Sequence, residues 1–165
     1  MIVKLPKMKK KEITDLINSQ NLCRIAFKGT DYPYMAPFQY TYFNDTLYFH
    51  FTDYGRKMKL LEKDNRVCVE IESYAPDLSQ YNFVVLRGRL KVVKDAKERA
   101  NAISNLAEEG KKRISTNFLA AHGLKPEKGW SSFIPETPLV IIKLEEIVDT
   151  IGLKSPRPLI HYSCS

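Results

Sequence analysis

Long apolar runs are missing from this sequence. Stretches such as Phe83-Val84-Val85-Leu86 and Leu139-Val140-Ile141-Ile142 fall far short of the ~20 residues that a membrane-spanning helix needs. Cysteine is scarce. Cys23, Cys68 and Cys164 stand far apart, which excludes a disulfide framework. Seven glycines and nine prolines are too few for a collagenous or low-complexity chain. The sequence has no G-x-S-x-G elbow, no Walker P-loop and no G-x-G-x-x-G fingerprint, so the common signatures of acyl transfer and nucleotide binding are absent. His50, His122 and His161 are isolated, and the one His/Cys pairing, His161-x-x-Cys164, falls near the C-terminus. No metal site is expected. The basic start of the chain runs into Glu12-Ile13-Thr14-Asp15, where a signal peptide needs an apolar stretch, so the expected location is cytoplasmic.

What is present describes a globular protein. Of 165 residues, 44% are hydrophobic and 27% charged, enough for one domain with a full core. The expected domain spans residues 1–152, with a tail over 153–165. Lys and Arg number 26 against 19 acids, a net charge of +7. Such a balance favours an anionic partner: nucleic acid, a membrane surface or a phosphorylated cofactor.

Hydrophobic spacing outlines the elements. Ile13, Leu16 and Ile17 recur at helical spacing in residues 9–20. Cys23, Ile25 and Phe27 then alternate with Arg24, Ala26 and Lys28, the mark of a half-buried strand. Tyr34 to Phe43 is dense in strand-forming aromatics, and Pro37 within it requires an edge, a bulge or a place where something other than a strand meets the backbone. Asn44-Asp45 reads as a hairpin turn before a strand over 46–52. A short helix over 55–63 precedes strands at 66–72 and 83–93, with Glu70 and Glu72 on the solvated side of the first. Asp95 and Glu98 open a helix carrying Ala100, Ile103, Leu106 and Ala107, with Gly110 and Gly123 as helix stops. A sixth strand begins at Leu139 and bends on through Ile147 to Ile151. Three strands precede the first inserted helix. The expected fold is therefore mainly β (α+β), a small antiparallel barrel with peripheral helices.

One stretch carries chemistry. Thr52, Gly55, Arg56 and Lys57 put a strand end, a glycine turn and two cations at the first turn of a helix. A helix N-terminus offers free N–H groups to a phosphate, Arg adds a bidentate fork, and Lys adds a mobile charge. Beside it, Pro37 removes a ladder N–H among aromatic and polar side chains that include Tyr40 and His50. A flat ring could lie there and bond the remaining backbone groups.

The order of these features resembles the pyridoxamine-phosphate-oxidase-like split-barrel flavoproteins, in their nitroimidazole-resistance-like branch. The matching residues are Tyr34-Met35-Ala36-Pro37, Leu47-Tyr48-Phe49-His50, Gly55-Arg56-Lys57, Asn65-Arg66-Val67-Cys68-Val69 and Tyr81-Asn82-Phe83 through Gly88. The resemblance implies a six-stranded antiparallel Greek-key split barrel that forms a homodimer, with FMN in two clefts at the interface. It implies that Thr52, Gly55, Arg56 and Lys57 hold the phosphate. Met35, Ala36 and Pro37 would lie along the ring, His50 and Phe51 near it, and Tyr81 and Asn82 would approach from the next loop. Asn82 stands where the family usually has Ser. Trp130, in the last long loop, would either pack over the neighbouring subunit's flavin or serve as a plain core or interface residue. The activity implied is FMN-dependent reduction of a small acceptor, nitroaromatic or quinone-like, by a small-molecule electron donor, with His50 as proton donor or substrate anchor. The end of the chain lacks the Arg-Leu-His-Asp-Arg-like segment of true pyridoxamine-phosphate oxidases, so vitamin B6 oxidation is not expected.

Three alternatives stand beside this reading. One is a flavin- or haem-binding protein without turnover, with His122 or His161 as axial ligand. Another is a deazaflavin-dependent reductase. The third is a barrel for single-stranded nucleic acid, which the scattering of cations over Lys7–Lys11, Arg56–Lys59 and Lys111–Arg113 disfavours. Neither nucleic acid nor membrane is an expected partner.

Overall fold

A computed structural model describes residues 4–136 and 139–156. Six strands close into one antiparallel barrel: β1 (Leu22–Phe27), β2 (Tyr34–Phe43), β3 (Thr46–Phe51), β4 (Arg66–Tyr74), β5 (Tyr81–Val92) and β6 (Val140–Lys154). They run round the barrel in the order β1-β2-β3-β6-β5-β4. The β2–β3 hairpin turns on Asn44 and Asp45, both with positive φ (49° and 56°), the conformation that a two-residue hairpin demands and that Asn and Asp tolerate. β6 is the longest strand. It bends at a register shift opposite Arg87/Arg89, where Glu146 takes φ 48°.

The alternating pattern builds two cores. Ile25, Phe27, Phe38, Tyr40, Phe49, Phe51, Val69 and Ile71 point into the barrel. Helix α1 (Lys10–Ser19) closes one end with Leu16 and Ile17, and the buried Tyr40 hydroxyl donates to the Ile17 carbonyl at 2.6 Å. Helix α2 (Arg56–Lys63) closes the other with Leu60 and Leu61. Helix α3 (Ala96–Arg113) lies outside, over β2 and β6. Its Ala102, Ile103, Leu106 and Ala107 form a second core with Tyr48, Phe133 and Ile141. Glu98, in the first turn of α3, accepts from the Tyr48 hydroxyl at 2.9 Å and from Lys143 Nζ at 3.0 Å. Hydrogen bonds that Lys143 donates to Glu145 and Glu98 hold its pKa above the ordinary lysine value.

The Asp95 carboxylate caps α3 by accepting from the Glu98 N–H at 2.7 Å. Gly110 corrects one expectation, because it is not a stop: α3 runs on to Arg113. The glycine is there because Trp130 is. A Cβ at residue 110 would stand 2.4 Å from the indole ring. Gly123 does end a short 3-10 turn, in the left-handed region at φ 71°.

Trp130 is the sole tryptophan, so Gly110→Ala has a direct reading. Forcing a methyl group into this contact should cost about 1–3 kcal/mol in urea unfolding and shift tryptophan emission to longer wavelength. An unchanged emission maximum and unfolding midpoint would contradict this packing.

Candidate cofactor cleft at the parting of two strands

The β2–β3 ladder is short. It pairs Phe43 with Thr46 and ends at Tyr40 with Phe49. Beyond that point β3 follows β6, with His50 opposite Ile141 and Phe51 opposite Val140, while β2 follows β1 as far as Tyr34 opposite Phe27. The two strands therefore part. Tyr40 donates its N–H to the Asn21 carbonyl at 3.2 Å. In an antiparallel ladder, alternate residues turn their backbone groups to opposite edges. Tyr34, Ala36 and Phe38 thus face β1, whereas Met35 and Pro37 turn theirs to the edge that β3 has left. Proline has no N–H to leave unsatisfied there. The Met35 and Pro37 side chains are exposed, Met35 to 62%.

Helix α2 begins beside this edge. Gly55 takes φ 97°, a conformation that side chains rarely adopt, and nothing lies within 4 Å of where its Cβ would be. Among the described residues no side chain caps the helix, and no acid occupies its first turn, so its leading N–H groups are open to an anion. The Arg56 guanidinium lies 5.1 Å from the centroid of the Tyr34 ring. Lys57 Nζ lies 5.4 Å from the rings of both Phe38 and Phe51, which stack at 4.8 Å. Among the described residues, neither cation has a carboxylate partner. Burial alone pushes the Lys57 pKa below the ordinary lysine value. A partly desolvated ammonium with no counter-ion is a site that an anion would complete.

The other residues singled out in the sequence fall into place unevenly. Ala36 and Phe51 face the barrel interior, so only their backbones can meet a ligand. The Thr52 hydroxyl donates to the Tyr54 carbonyl at 3.0 Å, within its own loop. His50 is 9% exposed and faces the second core, its ring edge-on to Phe133 at 5.3 Å. Trp130 is buried and donates Nε1–H to the Ile114 carbonyl at 3.1 Å. Tyr81 pairs with Tyr74 and Asn82 with Ser73, at the barrel end remote from α2. The His122 side chain, His161 and Cys164 lie outside the described residues. Among those described, no cluster of His, Cys, Asp or Glu could hold a metal, and no helix is long and apolar enough to cross a membrane.

The sequence reading missed the aromatic platform of Tyr34 and Phe38 and also Gln39. Gln39 is 1% exposed. Its Nε2 donates to the Leu106 carbonyl at 3.0 Å, and its buried Oε1 has no partner among the described residues. It shares the Met35–Pro37 face of β2, at the point where α3 covers that face.

The family model described as pyridoxamine 5'-phosphate oxidase matches residues 9–127. No curated protein matches the chain. Among solved structures, an FAD-binding protein from Mesorhizobium loti superposes with a TM-score of 0.67 at 19% identity, over 93% of this chain and 100% of that one. A candidate 5-nitroimidazole antibiotic resistance protein from Bacteroides thetaiotaomicron gives 0.65 at 20% identity, over 92% and 87%. A conserved hypothetical protein from Mycobacterium tuberculosis gives 0.70 at 15% identity, over 96% and 95%. At these identities the likeness is one of fold.

If Lys57 is there for a ligand, the fold does not need it. Lys57→Met keeps the stem on the rings and removes a desolvated charge, so the urea midpoint should stay or rise. Phe51→Ala should cost about 3–5 kcal/mol. A clear fall in midpoint for Lys57→Met would make the cation a part of the fold instead.

Proposed function

The chain belongs to the pyridoxamine 5'-phosphate oxidase family, and on that premise we propose that it is an FMN-binding flavoprotein that reduces a small nitroaromatic- or quinone-like acceptor. The observation that carries this reading is the open edge of β2 at Met35 and Pro37 beside the uncapped start of α2. A planar ring with hydrogen-bonding edges suits the first. A phosphate with two negative charges suits the second.

The residues present fit such a group by their chemistry. Arg56 and Lys57 supply charge-assisted hydrogen bonds to a phosphate, and Gly55 lets the backbone approach closely. The exposed faces of Met35 and Pro37 offer an apolar bed. When bound, FMN supplies reversible uptake of electrons, which none of the chain's own side chains provides. The protein's part is to fix the cofactor, keep one ring face open to a small acceptor, and shield the other. We assign His50 a positioning part at the inner end of the cleft, where its ring packs edge-on to Phe133. FAD is the second reading, favoured by the FAD-binding protein among the similar structures.

Arg56→Ala with Lys57→Ala removes two charge-assisted contacts of about 1.5–3 kcal/mol each. FMN affinity, read by titration of flavin fluorescence, should fall about 100-fold or more. Unchanged affinity would refute the phosphate assignment.

A further inference from the structure

β3 parts from β6 as well as from β2. The two pair only from Val140 opposite Phe51 to Lys143 opposite Tyr48. Past Lys143, β6 bends at its register shift, where Glu146 takes φ 48°. Its second half stays with β5 and takes the segment before α1 on its other edge, with Lys7 opposite Leu153. Leu47, one residue before Tyr48, pairs with Tyr42 of β2 and with no residue of β6. A gap is left between the β2–β3 hairpin and the bend, and α1 lies across it.

α1 is held too firmly to sink into this gap. Just before it, the Met8 N–H donates to the Gly152 carbonyl at 2.9 Å. Ile13 packs so closely on Gly152 that a Cβ there would stand 2.8 Å from its side chain. Glu12 pairs with Lys154, and the Ile17 carbonyl accepts from the Tyr40 hydroxyl. What stays open is a cavity of about 490 Å³. Close-packed protein interiors leave few such spaces, and small-molecule sites occupy about 300–1,000 Å³.

The lining of the cavity is graded. Ile17, Leu47, Leu86 and Leu144 form its floor and are all buried. Ile13, Thr14 and Tyr42 are half-buried on its walls. Lys10, Asp45, Ile147 and Thr150 are exposed at its mouth. The mouth therefore carries one charge of each sign. Lys10 has no acidic partner among the described residues, although Lys11 beside it has Asp15. Asp45 accepts from the Tyr42 hydroxyl at 3.1 Å and keeps capacity for a second donor. A head group that accepts from an ammonium and donates to a carboxylate suits this pair. A charged head would meet one like charge and lose its water as well.

We propose that this cavity binds one small uncharged amphiphile, its aliphatic body on Leu47, Leu86 and Leu144 and a hydroxyl or amide head between Lys10 and Asp45. The site shares no residue with the cofactor cleft and stands whether or not that cleft holds a flavin.

The probe is 1-octanol, titrated into the purified full-length chain by calorimetry and followed in methyl NMR spectra. Uptake should saturate at one molecule per chain. Shifts should concentrate on the methyl groups of Ile13, Ile17, Leu47, Leu86, Leu144 and Ile147. Octanoate and octylamine should bind about tenfold more weakly or worse, since each brings a charge to a mouth that cannot pair it cleanly. Thr150→Trp plugs the mouth from an exposed position. It should abolish saturable uptake while circular dichroism and the urea midpoint stay native. No uptake, as when a second copy is seated there, would overturn the proposal. So would uptake without saturation, shifts spread over the surface, or a well-folded Thr150→Trp chain that binds like wild type. Octanoate or octylamine binding as tightly as octanol would overturn the uncharged head group. Competition by FMN would put the alcohol in the cofactor cleft and overturn the separate site.

Discussion

The parting of β2 from β3 is the constraint on which the rest of the structure turns. A closed barrel satisfies the backbone groups of every strand. Here the ladder ends at Tyr40 and Phe49, and the next stretch of β2 faces an edge that no described strand takes. Pro37 makes this tolerable by removing one donor from that edge. The same parting lets β3 run on with β6 and deliver the chain to Gly55, where α2 starts without a cap. An open sheet edge and an open helix end are thus neighbours because a single hairpin stops pairing early.

Packing holds that opening in shape. Tyr34, Phe38 and Phe51 fill the barrel mouth, and the two cations of α2 lie on their rings instead of on carboxylates. On the other side of the sheet, α3 buries Gln39 and His50, so the inner end of the cleft is walled by a second core. Tyr40, bonded to α1, sits where the ladder ends. Rigid aromatic and helical supports on both sides of β2 suit a site that must hold a planar group in one orientation.

Much of this was legible in the sequence, for local reasons. The span of β2, the Asn44-Asp45 turn and the Asp95 cap each depend on residues within a few positions of one another. The uncapped α2 start was legible too, because Gly-Arg-Lys puts no acid or capping side chain there. What was not legible depended on distant partners. Gly110 looks like a helix stop until Trp130 is seen against it. Gln39 alternates as an outward polar residue, and nothing nearby in the chain tells that α3 will bury it. Tyr81 and Asn82 come soon after the α2 motif in sequence, yet β4 carries the chain the length of the barrel between them.

The function proposed for this chain requires the open edge of β2 and the open end of α2 to hold one flavin together. The most direct test is a visible absorption spectrum of the purified protein, followed by acid release and mass measurement of the chromophore. A flavin spectrum and the mass of FMN are expected. A colourless protein that takes up no added FMN or FAD would contradict that function.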